Sequence, residues 1–408
     1  MQETSLDSYD SFISQLWSYT EESIKSVDPI THQRNVARSL HNSISNFTSK
    51  SIQTTKSTIV LNTQQYTQST NNEILQVLDQ FGFAFLHNLF SGTISSSCSS
   101  QESTLTQYLH TQILLFINAG WPPTFIYSNP ILWQLYTQLH HSLINSHIHS
   151  NLTPLYDILA WYVHPNPSSI SRNRFVTAGG FTPHRDRQLL TPESIQNSFY
   201  QSTNACSAPK YITVWYAISH ASSNNSVLTF LPKTHDDGYL NGDLMRHTND
   251  ESVTPAESSN TIELLRVTRV KSNAIESMRT FDACANDGAI FTHRTLHWGS
   301  CNGFSGLLRS KQNEVDARVA VSFTFSDETF ERVYVKKENC EKNEWRIGLV
   351  AGQMLKYYER FDKMSVSDVM LLWRVFEVEM EQFEDGYVGS VREETVAALN
   401  AMRSRVKD

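Results

Sequence analysis

The sequence predicts a mainly β protein with flanking helices, an α+β class in which an antiparallel jelly roll forms the core. Between about residues 155 and 330, β-branched and aromatic runs are separated by Asn, Ser, Gly and Pro clusters rather than by helices. This pattern favours a sandwich or jelly roll over a βαβ fold. The runs are WYV, FVTAGGF, YITVWYAI, VLTFL, GAIFT and RVAVSFTF. On both sides of this region, apolar residues recur at helical spacing, which predicts N- and C-terminal helices.

The first segment, residues 1–70, is predicted to be a polar extension that is partly helical. It is rich in Ser, Thr, Asn and Gln, a composition that by itself favours disorder. Its early apolar residues nevertheless fall at helical spacing, which predicts a docked amphipathic helix; they are Tyr9, Phe12, Ile13, Leu16 and Trp17. The stretch from about 40 to 70 is the candidate for a flexible segment.

Residues 71–335 are predicted to form the jelly-roll domain together with the helices that precede it. A helix carrying Leu75 and Leu78 on one face is expected to end at Gly82, where a short strand follows. Residues 105–150 show a helical pattern interrupted by two prolines. The polar stretch 240–285 is interpreted as a long irregular insertion near the mouth of the barrel.

Residues 336–408 are predicted to be a helical extension packed on the core. One apolar stripe runs from Ile347 to Tyr358, and a second helix is expected over 366–380. Ser390 and Glu393 form a capping-box pair, which predicts the start of a third helix.

Charge and cysteine usage restrict the class of function. The formal net charge is -8, from 33 basic and 41 acidic residues, and a nucleic-acid-binding surface requires a basic patch. There is no run of 18 apolar residues, so no membrane span is expected. The five cysteines are scattered without a CxxC pair, which suits reduced thiols and predicts a cytoplasmic protein. A small-molecule substrate is the expected partner.

Two short motifs bring together candidate metal ligands. GGFTPHRDRQ contains His184 and Asp186, and side chains two positions apart in an extended chain point to the same side. IFTHRTLHWGS supplies a third ligand, either His297 or His293. Two histidines and one carboxylate on one side of an iron ion leave its other positions open, as in the facial triad of iron(II) oxygenases. An HxD pair alone also occurs as a surface pair near a turn.

Five blocks between about residues 72 and 325 follow one another in order: LDQFGFAFLHNLF, TPHRDRQ, KYITVWYAISHASSNNSVLTFLPKTH, GAIFTHRTLHWGSCN and ARVAVSFTF. Together they resemble the phytanoyl-CoA dioxygenase-like family of Fe(II)/2-oxoglutarate-dependent oxygenases. The resemblance implies a double-stranded β-helix (cupin-like jelly roll) core, Fe(II) as the metal, and 2-oxoglutarate and O2 as co-substrates. It also implies that His184, Asp186 and His297 are the catalytic metal ligands. His297 is preferred to His293 because it stands directly before the Trp-Gly-Ser turn.

The resemblance also implies a set of residues that bind the co-substrate. The distal carboxylate of 2-oxoglutarate requires a cation, and Arg318 in RVAVSFTF resembles the family's arginine. Ser322 shares its face of the strand and offers a hydroxyl group. Trp215 matches a Trp that flanks the co-substrate, and Thr213 on the same strand face offers a hydrogen bond. Because the arginine follows the metal histidine at a longer spacing than in the family, Arg309 is the alternative anchor.

These observations predict an Fe(II)- and 2-oxoglutarate-dependent dioxygenase that acts on a small organic molecule. Oxidative decarboxylation of 2-oxoglutarate to succinate would be coupled to hydroxylation, desaturation or cyclisation of the substrate. Two alternatives remain: a catalytically inactive barrel that binds a small molecule, and a metal-dependent hydrolase that uses the same His-Asp-His site. Arg185, Arg187 and Gln188 border the metal motif and are interpreted either as contacts to an anionic substrate or as solvated residues.

Overall fold

The strands form antiparallel sheets, of which two face each other around the candidate site. This computed structural model describes residues 7–22, 35–40, 42–44, 46, 55–61, 73–96, 102–164, 173–177, 181–200, 206–243, 261–265, 268–299, 317–340, 345–361 and 363–405. Its strands are β1 (Thr55–Leu61), β2 (Phe83–Leu86), β3 (Phe90–Ser96), β4 (Glu102–Thr104), β5 (Thr153–Pro154), β6 (Leu159–Val163), β7 (Tyr211–Ala217), β8 (Leu228–Phe230), β9 (Thr261–Leu265), β10 (Thr268–Lys271), β11 (Arg279–Phe281), β12 (Gly288–Thr292), β13 (His297–Gly299) and β14 (Arg318–Ser326).

The larger of the two facing sheets has the order β2-β12-β7-β14-β5, with β6 also paired to β14. The smaller sheet has the order β11-β8-β13. Side chains from both sheets meet in one apolar cluster, in which the Phe83 ring stacks on Phe230 with centroids 4.9 Å apart. The two sheets therefore lie face to face. Two further small sheets, β1-β3-β4 and β9-β10, lie outside this pair.

The central strands β7 and β14 are buried along their whole length. In their antiparallel register, Ser322 lies opposite Trp215, and the next pair on the same face includes Thr213. Because side chains alternate along a strand, Arg318 points to this same face while Val321 points to the other. One face therefore looks towards the smaller sheet and the other packs on helices, which explains why these runs are almost continuously apolar.

The helices are α1 (Tyr9–Glu22), α2 (Glu73–Phe81), α3 (Leu105–Asn118), α4 (Pro130–Gln138), α5 (Pro192–Asn197), α6 (Asp237–Asn241), α7 (Trp345–Lys356), α8 (Val366–Val378) and α9 (Asp385–Arg405). A π-helical turn, Leu139–Ile144, and a short helical turn, Asn145–His147, continue α4. Turns of 3-10 helix occupy Pro123–Ser128, Lys233–His235, Ser272–Ser277, Lys337–Asn339, Tyr358–Arg360 and Met380–Gln382. None of the described helices is long and apolar enough to cross a membrane.

Both terminal helical regions pack on the outer face of the larger sheet. One buried cluster joins Tyr9 and Phe12 of α1, Val350 of α7 and Leu372 of α8 to Phe323 of β14. The predicted docked helix near the N-terminus is thus confirmed, as is the helix expected over 366–380. The predicted combination of helices and antiparallel strands is confirmed as well. Helices cover more of the described chain than strands do, so a mixed α+β class fits better than a mainly β one.

Several local predictions are wrong. FVTAGGF was expected to be a strand, but Thr177 forms only a single bridge with Val163, and residues 178–180 lie outside the described residues. The stretch from about 40 to 70 contains β1, which pairs with β3; its flexibility stays a prediction, and residues 47–54 and 62–70 are not among those described. The predicted irregular insertion contains the β9–β10 hairpin and β11, with 244–260 outside the described part. In each case pairing with another segment decided the structure, and local composition does not report it.

The capping-box prediction at Ser390 is also wrong. Helix α9 begins at Asp385 and passes through Ser390 without interruption. Tyr387 and Val391, four positions apart, are both buried in the shared core. Packing of this face extends the helix past a local signal that would otherwise start it.

Candidate metal centre

An isolated β-bridge helps to bring the two candidate metal motifs together. His184 pairs with His297 at the start of β13 in an isolated antiparallel bridge. Each residue donates its backbone N–H to the other's carbonyl oxygen at 3.0 Å. Asp186 follows two positions after His184, so its side chain reaches the same side of the bridge.

The three side chains converge within a few ångströms. His297 Nε2 lies 3.7 Å from Asp186 Oδ1, and His184 Nε2 lies 4.0 Å from the same oxygen. One donor atom from each residue falls within 4.8 Å of the other two. Within the described part of the chain, this is the one group of His, Cys, Asp or Glu residues arranged closely enough to hold an ion.

Hydrogen bonds direct the donor atoms of this triad inwards. His184 Nδ1 lies 2.8 Å from the carbonyl oxygen of Thr182, and His297 Nδ1 lies 3.0 Å from that of Thr295. Since a carbonyl can only accept, each Nδ1 carries the proton and each Nε2 presents a lone pair to the centre. Asp186 Oδ2 accepts from the Thr213 hydroxyl at 2.5 Å, which leaves Oδ1 facing the imidazoles.

Burial favours the neutral imidazoles that metal binding requires. Burial lowers the pKa of His184 well below its ordinary value, and the neighbouring His297 and Arg360 lower it further. Burial also lowers the pKa of His297, although Asp186 raises it in part. Both rings are therefore neutral near pH 7, the form in which imidazole binds a metal. The donor set of two imidazole nitrogens and one carboxylate oxygen fits Fe(II).

His293, the alternative third ligand, lies elsewhere. Its ring is fully buried, with Nε2 2.8 Å from the Ser198 hydroxyl and Nδ1 3.4 Å from the Tyr211 carbonyl oxygen. Burial and the adjacent Arg294 lower its pKa to about 3. The chain turns after β12, so His293 points away from Asp186 while His297 points towards it.

The triad lies in the wall of a cleft of about 600 Å³, counted to its open mouth. Four residues expected to contact the co-substrate line the same cleft: Thr213, Trp215, Arg318 and Ser322. Arg318 is 1% exposed, and its Nη1 donates to the Ser226 carbonyl oxygen at 3.4 Å. Arg309, the alternative anchor, lies outside the described residues.

A buried ionic network supports the loop that carries His184 and Asp186. Arg185, between the two, donates to both oxygens of Asp236 at 2.6 and 2.8 Å and to Asp243 at 2.7 Å. Arg294 also donates to Asp243, at 2.5 Å. The side chain of Arg185 has no exposed surface, so its interpretation as a substrate contact or a solvated residue is wrong. Its partners lie about fifty positions away, and no local pattern in the sequence indicates them.

The C-terminal extension contributes cleft residues that were not predicted from the sequence. Tyr357 and Arg360 follow helix α7 and line the cleft from the C-terminal extension. From the sequence, that extension was predicted only to pack on the core. Arg187, which was predicted as a possible substrate contact, does line the cleft, but it is paired with Glu331 at 2.6 Å and with Asp157 at 2.8 Å.

Comparison with known proteins finds no matching family model and no matching curated protein. Solved structures include similar chains. The non-heme alpha ketoglutarate dependent epimerase SnoN from nogalamycin biosynthesis is 13% identical, with a TM-score of 0.32 over 62% of this chain and 82% of that one. HygX from Streptomyces hygroscopicus, solved with nickel and 2-oxoglutarate bound, is 10% identical, with a TM-score of 0.35 over 62% and 85%. EvdO2 from Micromonospora carbonacea var. aurantiaca, complexed with 2-oxoglutarate, is 10% identical, with a TM-score of 0.29 over 66% and 94%. The chemistry proposed for this site rests on its own geometry.

Proposed function

We propose that this protein is an Fe(II)- and 2-oxoglutarate-dependent dioxygenase acting on a small organic molecule, with a double-stranded β-helix core like that of the phytanoyl-CoA dioxygenase-like family. The observation that carries the proposal is the convergence of two imidazole Nε2 atoms and one carboxylate oxygen in a cleft that also contains a buried arginine. Three protein donors leave positions for a co-substrate and O2.

The three candidate ligands and Arg318 have distinct roles in this proposal. His184, Asp186 and His297 hold the metal, and the hydrogen bonds to Thr182 and Thr295 keep the two rings in the binding tautomer. When bound, iron supplies the activation of O2 that oxidises a substrate C–H bond while 2-oxoglutarate is converted to succinate and CO2. Arg318 binds the distal carboxylate of 2-oxoglutarate through its planar fork of donors.

The neighbouring side chains complete the co-substrate site. Ser322 lies on the same strand face as Arg318 and offers a hydroxyl group to the same carboxylate. Trp215, opposite Ser322, forms an apolar wall that limits access of water. Thr213 donates to Asp186 and thereby fixes which carboxylate oxygen faces the metal.

The decisive experiment measures succinate formed from 2-oxoglutarate by the purified protein with Fe(II), O2 and ascorbate. We expect formation that depends on iron and is lost in His184→Ala, Asp186→Ala and His297→Ala. His293→Ala, with a correct circular dichroism spectrum, serves as the matched histidine control and should retain it. Calorimetric titration with Ni2+ separates loss of metal binding from loss of turnover.

Three outcomes would contradict parts of this proposal. If His297→Ala binds metal and His293→Ala does not, then the third ligand is misassigned. If the wild-type protein forms no succinate but hydrolyses esters in the presence of Zn2+, the site belongs to a metal-dependent hydrolase. Binding of small molecules with neither activity would instead indicate an inactive barrel.

A further inference from the structure

The charged side chains that line the cleft are Asp157, Asp186, Arg187, Arg318 and Arg360. Asp157 and Arg187 form an ion pair at 2.8 Å. In the proposed function, Asp186 holds the metal and Arg318 binds 2-oxoglutarate. Arg360 is the cation that these assignments leave over.

Aromatic rings hold Arg360 in place without neutralising it. Its guanidinium carbon lies 5.0 Å from the centroid of the Phe181 ring and 4.6 Å from that of Tyr357. Among the described residues, no carboxylate lies within ion-pair distance, and no side-chain nitrogen of Arg360 donates a hydrogen bond. Stacking on rings fixes the plane of a guanidinium and leaves the N–H donors at its edge available for a ligand.

Arg360 is also close to the metal centre. The Phe181 ring, which contacts Arg360, has its centroid 6.0 Å from that of the His184 imidazole. Trp161 extends the same wall, with its ring 5.2 Å from Phe181.

We propose that the prime substrate carries a carboxylate or a phosphate that Arg360 binds, next to an apolar portion that packs on Phe181 and Trp161. This inference rests on the proposed function, because it assigns the substrate class of the same site. A planar fork of donors matches the paired oxygens of either anion. Since a single ring separates Arg360 from His184, the oxidised carbon lies a short distance from the anionic group. The C-terminal extension then determines substrate choice.

Binding of neutral and anionic probes tests this inference without turnover. The protein is loaded with Ni2+ and 2-oxoglutarate and titrated calorimetrically with phenylacetate, phenyl phosphate and neutral phenylacetamide. We expect at least one of the two anions to bind about tenfold or more tightly than the amide, which corresponds to about 1.4 kcal/mol. The anion that binds more tightly identifies the charged group of the substrate as a carboxylate or a phosphate. Equal binding of all three probes, or no binding, would overturn the inference.

Three variants locate the effect. Arg360→Gln should reduce anion binding to the level of the amide, while Arg360→Lys should retain part of the preference. Arg346→Gln is the matched control, because Arg346 also stacks on a ring, at 5.0 Å from that of Trp133, and does not line the cleft. It should keep the full preference, and a loss equal to that in Arg360→Gln would point to general destabilisation.

These titrations, together with the succinate assay, distinguish failure of this inference from failure of the proposed function. If Arg360→Gln loses affinity for 2-oxoglutarate itself, Arg360 belongs to the co-substrate site and the inference is wrong. If the wild-type protein forms succinate but shows no preference for anions, the inference fails and the proposed function remains. If anions bind through Arg360 but no succinate forms with Fe(II), the proposed function fails instead.

Discussion

Thr213 links the larger sheet to the metal centre through a single hydrogen bond. It lies in the middle of β7, buried on both faces, and its hydroxyl donates to the carboxylate of Asp186. The Asp186 side chain is 15% exposed and follows an irregular turn. Because a strand is more rigid than a turn, this bond restricts the rotation of the carboxylate.

Replacing Thr213 by Val removes this donor with little change in shape. We expect the affinity for Ni2+ or Fe(II) to fall about 10- to 100-fold, the usual effect of losing a partner that orients a ligand. Calorimetric titration of the metal measures the change. Thr324→Val is the matched control, because the Thr324 hydroxyl lines the same cleft and donates to the Asp157 carbonyl oxygen instead. Equal metal affinity in Thr213→Val and the wild-type protein would show that the bond does not orient Asp186.

Arg318 is the buried cation of the cleft, and its removal tests the co-substrate site. In Arg318→Leu, the distal carboxylate of 2-oxoglutarate would lack its partner, at a cost of about 3–5 kcal/mol, or about a hundredfold or more in affinity. Arg309→Leu should bind 2-oxoglutarate normally. Titration of 2-oxoglutarate into the Ni2+-loaded variants measures both values, and the reverse result would assign the anchor to Arg309.

The C-terminal helices pack closely through glycine. A Cβ atom added to Gly352 of α7 would lie 2.6 Å from the Tyr387 hydroxyl oxygen of α9 and 2.9 Å from the ring of Phe376 in α8. Glycine at this position therefore allows three helices to approach one another. Gly389 in α9 has no atom within 4 Å of an added Cβ.

These two glycines give a matched pair of predictions. Gly352→Ala should lower the free energy of unfolding by about 1–3 kcal/mol, because the added methyl group overpacks the helix contact. Gly389→Ala should raise it by about 0.5–1 kcal/mol, because alanine loses less conformational entropy in a helix. Urea denaturation followed by circular dichroism measures both changes. Stabilisation by Gly352→Ala would contradict the close approach of α7 and α9.

One ionic network connects segments that are distant in the sequence. Asp157, which precedes β6, pairs at 2.8 Å with Arg187, which follows directly after Asp186 in the loop that carries the candidate ligands (the metal loop). Asp157 also lies 3.7 Å from Lys356 of α7. Glu331, after β14, pairs with Arg187 at 2.6 Å. The network therefore joins the sheet, the metal loop and the C-terminal extension. The domain boundaries near residues 70 and 335 stay a prediction.

This network predicts a loss of stability in acid. Burial alone would raise the pKa of Asp157, but Lys356 and Arg187 outweigh it and hold the pKa well below the ordinary 3.8. Arg187 likewise outweighs burial at Glu331 and lowers its pKa below the ordinary 4.5. Folding therefore disfavours protonation of both carboxyls. The stability they add is complete above these ordinary values and is lost as the pH falls below them.

Thermal unfolding between about pH 5 and pH 3 tests the prediction. The melting temperature should fall as the pH decreases, and Asp157→Asn should show a smaller fall than the wild-type protein. Asp282→Asn is the control, because Asp282 forms an exposed pair with His220 and its side chain is 72% exposed; it should follow the wild-type curve. If the melting temperature of Asp157→Asn fell with pH as steeply as that of the wild-type protein, Asp157 would not contribute to the loss of stability in acid.

Features that depend on residues close in the sequence were predicted correctly, whereas features that depend on distant contacts were not. The proximity of His184 and Asp186 was predicted correctly because an HxD pair in an extended chain carries its geometry in two positions. The helices α1 and α8 were identified because their apolar faces repeat every few residues. FVTAGGF and residues 261–281 were misassigned because strand formation depends on a partner strand elsewhere in the chain.

Local periodicity and short spacings were enough to predict antiparallel strands flanked by helices, the two motifs that meet at the candidate metal centre, and the strand of Arg318. The preference for His297 over His293 came from the family resemblance, and packing is what turns His297 towards Asp186. Packing also buries Arg185 between Asp236 and Asp243 and brings Arg360 to the cleft. Each of these placements depends on contacts between segments that come together only when the sheets and helices pack.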